Sequence, residues 1–412
     1  MMPFSFILPA SFDPAEFLKS PALITRRDDA RYFVSLILTK LARRDVDELG
    51  VVRLRGEFLK NIMHQTDYAA VVKSLLDGGA VERFRYTVGE RSFGFRLASR
   101  FVTDNHVRVP ATDSRLIRRL QRFHEQAVVE LDSRMKPVHR ALALHQQRLQ
   151  IDGDDARRTL ASLPPDCNLF DTQGILIRDI ERHEFRISVG QYGRVANNIT
   201  CLKRELRQAL HVDGEPLVCV DLSCAQPALL GKLIADNGSK AKAEGRQGEG
   251  REQSGSNYDS SFRPASDLDS YLPLVQTGRF YEYMQEQLLA YDISRDEIKR
   301  RFLVDVLAKK GNYSSTVENA FQQLFPSVHR FIQWTNRDGQ EHANLIRLLQ
   351  QAESSFVIET VCSELVTRHP RMFCISLHDA IYSTVGDVPR VEQAFHRAFQ
   401  KTRFPMMVKV TA

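Results

Sequence analysis

Pro216-Leu-Val-Cys-Val-Asp-Leu-Ser-Cys-Ala-Gln-Pro-Ala-Leu-Leu230 is the stretch from which the rest of the chain is read. The apolar run Leu217 to Val220 predicts a buried strand, Asp221 closes it, and the residues after Pro227 predict a helix. A carboxylate at the carboxyl end of a buried strand is costly unless a cation or a metal ion partners it. A second carboxylate is therefore expected, and Met372-Phe-Cys-Ile-Ser-Leu-His-Asp-Ala-Ile-Tyr-Ser-Thr-Val-Gly386 offers one. Its β-rich runs, Met372 to Leu377 and Ala380 to Val385, flank His378-Asp379, the pattern of a hairpin that presents its acid at the turn. Brought together, Asp221 and Asp379 would hold two Mg2+ ions that clamp the attacking and leaving oxygens of a phosphoryl displacement. Singly, each has an ordinary reading: Asp221 as a turn or helix-cap residue, His378-Asp379 as a polar turn.

Between them lies Ser294-Arg-Asp-Glu-Ile-Lys-Arg-Arg-Phe-Leu-Val-Asp-Val-Leu-Ala-Lys-Lys-Gly311. Ser294 with Glu297 three residues on is a capping-box start, so a helix is predicted. Arg295, Lys299, Leu303 and Leu307 recur every four residues and should form one stripe, cationic first and apolar later. That face suits a triphosphate at one end and a base or sugar at the other; a solvated basic face is the plain alternative.

Asp-x-Ser in a strand-to-helix turn, Arg-x3-Lys on a helix and His-Asp in a hairpin resemble, in this order, the palm and fingers motifs of family A DNA polymerases. The phage-type single-subunit RNA polymerases share the order. Gln191-Tyr-Gly-Arg-Val-Ala-Asn-Asn-Ile-Thr200 and the residues to Leu210 look like the family's Thr-Gly-Arg segment, and the likeness covers roughly 168–412. It implies an α+β right-hand fold of thumb, palm and fingers, mostly helical, with an antiparallel palm sheet. Asp221 and Asp379 would be the catalytic metal ligands, for two Mg2+ ions with Mn2+ as a substitute. Lys299 would hold the triphosphate and protonate the leaving group. Arg295 would hold the triphosphate with Lys299, Leu303 and Gln226 would line the nucleotide, and Arg194, Arg207, His378 and Gln351 the nucleic acid, with Gln350 close behind Gln351. Glu353 would support the metal site or cap local polar groups. Primed DNA template and nucleoside triphosphates are the implied partners; no protein partner is indicated.

Five positions depart from the family pattern. Gln226 stands where DNA polymerases carry a Glu against the ribose 2′-hydroxyl and RNA polymerases a Gly. Leu303 and then Leu307-Ala308 replace an aromatic and Tyr-Gly, and Ala380 replaces the Glu or Ser after His-Asp. Deoxynucleotides are favoured, because Gln226 keeps bulk where RNA polymerases make room. A ribonucleotide-using transcriptase or primase stays open, as does a non-catalytic winged-helix DNA-binding protein on a degenerate polymerase scaffold.

With 412 residues, 43% of them hydrophobic, the chain has room for two or three domains and a substantial core. Net charge +6 suits a polyanionic partner. Six Cys without a CxxC pair argue against a zinc finger and for a reducing compartment. No apolar run approaches the roughly 20 residues of a membrane span, so a soluble, cytoplasmic protein of a bacterium or phage-infected cell is expected.

In chain order, residues 1–25 are expected as an extended Pro-rich arm. From 27 to 97 a helix, a short strand, two helices and a hairpin follow the winged-helix order, with Arg83, Arg85, Arg91 and Arg96 suited to phosphate contact. The arm and this module fill 1–105. Residues 106–165 hold basic helices, broken at Pro137 and Gly153, in the thumb position. Palm and fingers fill 166–412, with fingers about 268–345. A polar tract at about 237–262 has too few apolar residues to fold and is expected as a loop after a helix ending near Ala235. No exonuclease constellation is evident, which would suit a compact phage or mobile-element enzyme.

Overall fold

The computed structural model describes residues 4–47, 50–85, 92–103, 105–164, 170–245, 267–337 and 341–411. It is a mixed helix-and-sheet fold with a curled antiparallel sheet. The chain divides into two units, Met1–Met135 with Gln147–Ser188 and Asn197–Pro216, and Lys136–Gln146 with Val189–Ala196 and Leu217–Ala412.

In the first unit the strand Ser5–Pro9 pairs antiparallel with His106–Pro110. The expected extended arm is anchored here as a strand, because Phe6 and Leu8 in its apolar run are buried and Ile7 N–H donates to Ser35 Oγ. The helices Arg27–Ala42, Gly56–Ile62 and Tyr68–Asp77 accompany a three-stranded sheet of Val52–Arg53, Gly94–Leu97 and Val81–Phe84. Residues 86–91 of the turn between the last two strands, Arg91 included, lie outside the described residues. Arg96 pairs with Glu82 at 2.7 Å and lies over the Phe84 ring, while Arg83 lies over Phe93. Where two or three helices were expected between 114 and 162 there are three: Ser114–Arg134 and Gly153–Ser162 belong to this unit and Pro137–Gln146 to the second.

The second unit is built on the strand Glu215–Leu222, whose residues from Leu217 onward belong to it. On one side lies the hairpin strand Ala380–Thr384, itself paired with Ile375–Leu377, and on the other Val408–Thr411. Every pairing is antiparallel, and Val220 and Ile381, partners in register, are fully buried. The helix after Asp221 runs Ala225–Gly245, ten residues past the expected stop. Its added stretch includes Ala241, Lys242, Ala243 and Glu244, residues of high helix propensity. The rest of the expected loop, 246–266, is outside the described residues.

Order returns with the helices Asp267–Gln276 and Phe280–Gln287. Their rings meet those of Thr316–Leu324 in an edge-to-face cluster: Phe280–Phe302 at 5.0 Å, Tyr271–Phe325 and Phe302–Phe321 at 5.1 Å. Arg295–Arg301 is α-helical, with Ser294 Oγ accepting from Glu297 N–H. At Phe302–Leu307 it widens into π-helix, and the four-residue stripe breaks there. Leu307 is wholly buried, Leu303 is half-buried and Lys299 is exposed. A second π segment, Ser355–Cys362, interrupts the long helix Asn344–Arg368.

Candidate active site

Strand register brings the two sequence-selected acids together. Asp221 pairs with Ala380, the residue after Asp379. Leu377 pairs with Ala380, so His378 and Asp379 are the two residues of a tight turn, and His378 takes the positive φ of 57° that such a turn requires. Cys224, three residues after Asp221, also has a left-handed φ of 53°. Non-glycine residues in this region are uncommon and persist where the surroundings over-determine them.

Those surroundings are visible around the turn after Asp221. Ser223 N–H donates to Met407 O at 2.9 Å, and Cys224 Sγ donates to Gly278 O at 3.2 Å. Gly278 has φ +72°, and a Cβ there would stand 2.8 Å from Ser223 Cβ. A glycine is therefore needed for both conformation and closeness.

A third carboxylate converges on the pair. Glu353, 4% exposed on the helix Asn344–Ser354, faces Arg194 with Nη2 to Oε1 at 3.3 Å. Burial pushes the Glu353 carboxyl up to about 7; Arg194 opposes the shift, while Asp379 and Asp221 add to it. Glu353 Oε1 and Arg194 Nε are buried without a hydrogen-bond partner. Burial likewise raises Asp379, with Lys299 and Arg194 holding it down. Asp221, Asp379, Glu353, Lys299 and Arg194 thus share one electrostatic neighbourhood. Arg194 reaches it from a turn closed by Gly190 N–H to Arg194 O at 2.8 Å, with Gly193 lying against Ser354 and Glu359.

Tyr281 and Glu282 join the site without a sequence signal. Tyr281 is buried; burial raises its hydroxyl, Cys224 and Asp379 raise it further, and Arg295 opposes. The Arg295 guanidinium lies 5.6 Å from the Tyr281 ring centroid and bonds Glu282 Oε1 at 2.6 Å. Gln226, in the first turn after Asp221, is half-buried with Oε1 unbonded. Gln351 is exposed on the Glu353 helix and Gln350 half-buried. Arg207 belongs to the first unit, where its guanidinium donates to Leu202 O at 3.0 and 2.8 Å.

No family model matches this chain, and no curated protein does. Among solved structures, it shows weak similarity to the POL domain of Pol1 from M. smegmatis in complex with DNA primer-template and dNTP. The match has 14% identity and a TM-score of 0.30, and covers 63% of this chain and 55% of that one. The chain thus spans little more than half of that domain.

The donor set suits a hard divalent cation. Among the described residues no group of three or more His, Cys, Asp or Glu stands at metal-ligand spacing. Mg2+ asks for less: one or two carboxylates, with the remaining positions left to water and substrate phosphates. Asp221 on its strand and Asp379 in the adjoining hairpin turn meet that demand, and the buried Glu353, ion-paired with Arg194, adds its charge to theirs.

Proposed function

We propose that this chain is a template-directed DNA polymerase that adds deoxynucleotides to a primer 3′-hydroxyl. The observation that carries the reading is the Asp221–Ala380 register, which sets Asp221 beside Asp379 within the fields of Lys299 and Arg194. In this reading the sheet around Asp221 is a palm, 268–345 the fingers, 106–165 the thumb helices and the N-terminal module a winged helix.

Mg2+ held by Asp221 and Asp379 would make the primer hydroxyl a stronger nucleophile and offset the charge of the departing pyrophosphate. The 3′-oxygen bonds to the α-phosphorus, and the bond from that phosphorus to pyrophosphate breaks. Lys299, exposed on its helix, holds the triphosphate and gives a proton to the leaving oxygen. Arg194, drawn toward the carboxylates by Glu353, adds positive charge that attracts a backbone or primer phosphate. Arg295 is committed to Glu282 and stacks on Tyr281, so it shapes the nucleotide side of the site and reaches phosphate only by exchanging that partner.

The test is extension of a labelled primed template with Mg2+, using deoxynucleotides, then ribonucleotides, then Asp379→Ala. Expected are deoxynucleotide extension and a loss of about a thousandfold in the variant, which corresponds to about 4 kcal/mol of transition-state stabilisation. Ribonucleotide extension would move the assignment to a transcriptase or primase. No extension with either, while duplex binding persists, would leave a DNA-binding protein and overturn the catalytic reading.

A further inference from the structure

The first unit holds a strongly basic cavity that lies outside the carboxylate site. Its volume is about 690 Å3, and its walls carry Arg115, Arg118, Arg119 and Arg122 from the helix Ser114–Arg134, with His64 and Gln65 from the turn before Tyr68–Asp77. The arginines recur at three- and four-residue spacing, so all four share one helix face. We propose that this cavity binds the phosphodiester backbone of a nucleic acid.

The geometry shows why the charge there is available. The carboxylates around the cavity are mostly engaged elsewhere: Asp113 caps the helix, accepting from Arg115 N–H at 2.7 Å and Leu116 N–H at 3.1 Å, and Asp67 bonds Arg26 at 2.9 Å. Asp29 is buried, accepts from His64 N–H at 3.1 Å, and is the carboxylate whose charge Arg119 feels from behind the cavity. Glu125 is the acid in the lining. Among the described residues no carboxylate makes an ion pair with Arg115, Arg118, Arg119 or Arg122. Arg119 is fixed from behind, with Nη1 donating to Met63 O at 2.5 Å and Nε to Arg115 O at 3.3 Å, and its buried Nη2 has no hydrogen-bond partner. The helix is itself held in place by Phe123 against Phe58, ring centroids 5.3 Å apart.

Size and spacing favour a polyanion over a single anion. Residues 115 to 122 advance about 10 Å along the helix axis, the length of about three phosphate steps of one strand. Past the cavity every residue from Arg122 to Glu130 is exposed, so the helix offers a long open surface. Arginine forks bind phosphate bidentately and carry no base readout, so the site should hold nucleic acid irrespective of sequence. The assignment shares with the polymerase reading the expectation of a nucleic-acid partner and needs none of its chemistry.

The test is anisotropy of a short labelled duplex, and of its single strand, titrated with the full chain over a salt series. Arg118→Ala/Arg122→Ala should weaken binding about tenfold at low salt and lower the slope of log affinity against log salt by about 2. The control Lys19→Ala/Arg330→Ala, two exposed cations away from the cavity lining, should leave the slope alone. An unchanged slope in the first variant, or an equal loss in the control, overturns the proposal. So does displacement of the oligonucleotide by free nucleoside triphosphate as effectively, phosphate for phosphate, as by unlabelled oligonucleotide, which would mark a small-anion site. Retained primer extension by the double variant at saturating template separates this result from failure of the catalytic reading.

Discussion

Gly278 shows how closely the acid-bearing turn is fitted. Alanine there must adopt φ +72° and place its Cβ 2.8 Å from Ser223 Cβ, so Gly278→Ala should cost about 2 kcal/mol or more. The urea midpoint should fall with an unchanged slope, and primer extension should fall further than stability alone explains. Asp179 offers a pH test away from the metal ligands. Burial lifts its carboxyl from 3.8 to about 6, against Arg108, which bonds it at 2.9 Å. The folded state therefore holds this proton more tightly than the unfolded chain, so the contribution is complete below pH 4 and is lost as pH rises through 6. The gap amounts to about 3 kcal/mol. Asp179→Asn should flatten the pH dependence of the urea midpoint across that window; an unchanged profile would refute the assignment. At this scale Asp221, Asp379, Lys299 and Arg194 were legible because each sits in a local pattern. Tyr281 and Glu282 were not, because what marks them is proximity to residues far along the chain.

The elements follow local pattern until packing intervenes. The expected helix over 294–311 forms only from Arg295 to Leu307, Leu307 goes to the core, and the widening at Phe302–Leu307 breaks the single stripe. Side chains of the ring cluster determine that outcome, and no four-residue count along one segment contains it. Phe321 touches Tyr271, Phe280, Phe302 and Phe325 and is wholly buried. Phe321→Ala should therefore cost about 3–5 kcal/mol, read by thermal or urea unfolding, whereas Phe321→Leu should cost clearly less. The N-terminal strand makes the same point: a Pro-rich arm was expected, and burial of Phe6 and Leu8 turned it into a sheet partner of His106–Pro110.

Across the whole molecule, the proposed chemistry belongs to the second unit and the arginine cavity to the first. Asp379→Ala should accordingly abolish extension while leaving duplex affinity and its salt slope within about twofold of the native protein, because the cationic cavity is untouched. Anisotropy and extension on the same preparation check this. Loss of both together would mean that the carboxylate site, and not the arginine helix, governs nucleic-acid binding. No helix among the described residues is long and apolar enough to cross a membrane.

The sequence alone determined the apolar strand that carries Asp221 near its end, the hairpin carrying Asp379, the capped helix of Lys299 and the helix–strand–helix–helix order of the N-terminal module. Each is a pattern of period two or 3.6, or a cap or turn residue, confined to a few neighbouring positions. Tertiary structure decided the rest. Antiparallel register set Asp221 opposite Ala380, the helix Asn344–Ser354 delivered a buried Glu353 to both aspartates, and packing against the 63–65 turn converted a row of arginines into a cavity. The reason is that these contacts join residues separated by tens to more than 150 positions. Their energy comes from desolvation and charge proximity, which exist only once the chain has folded.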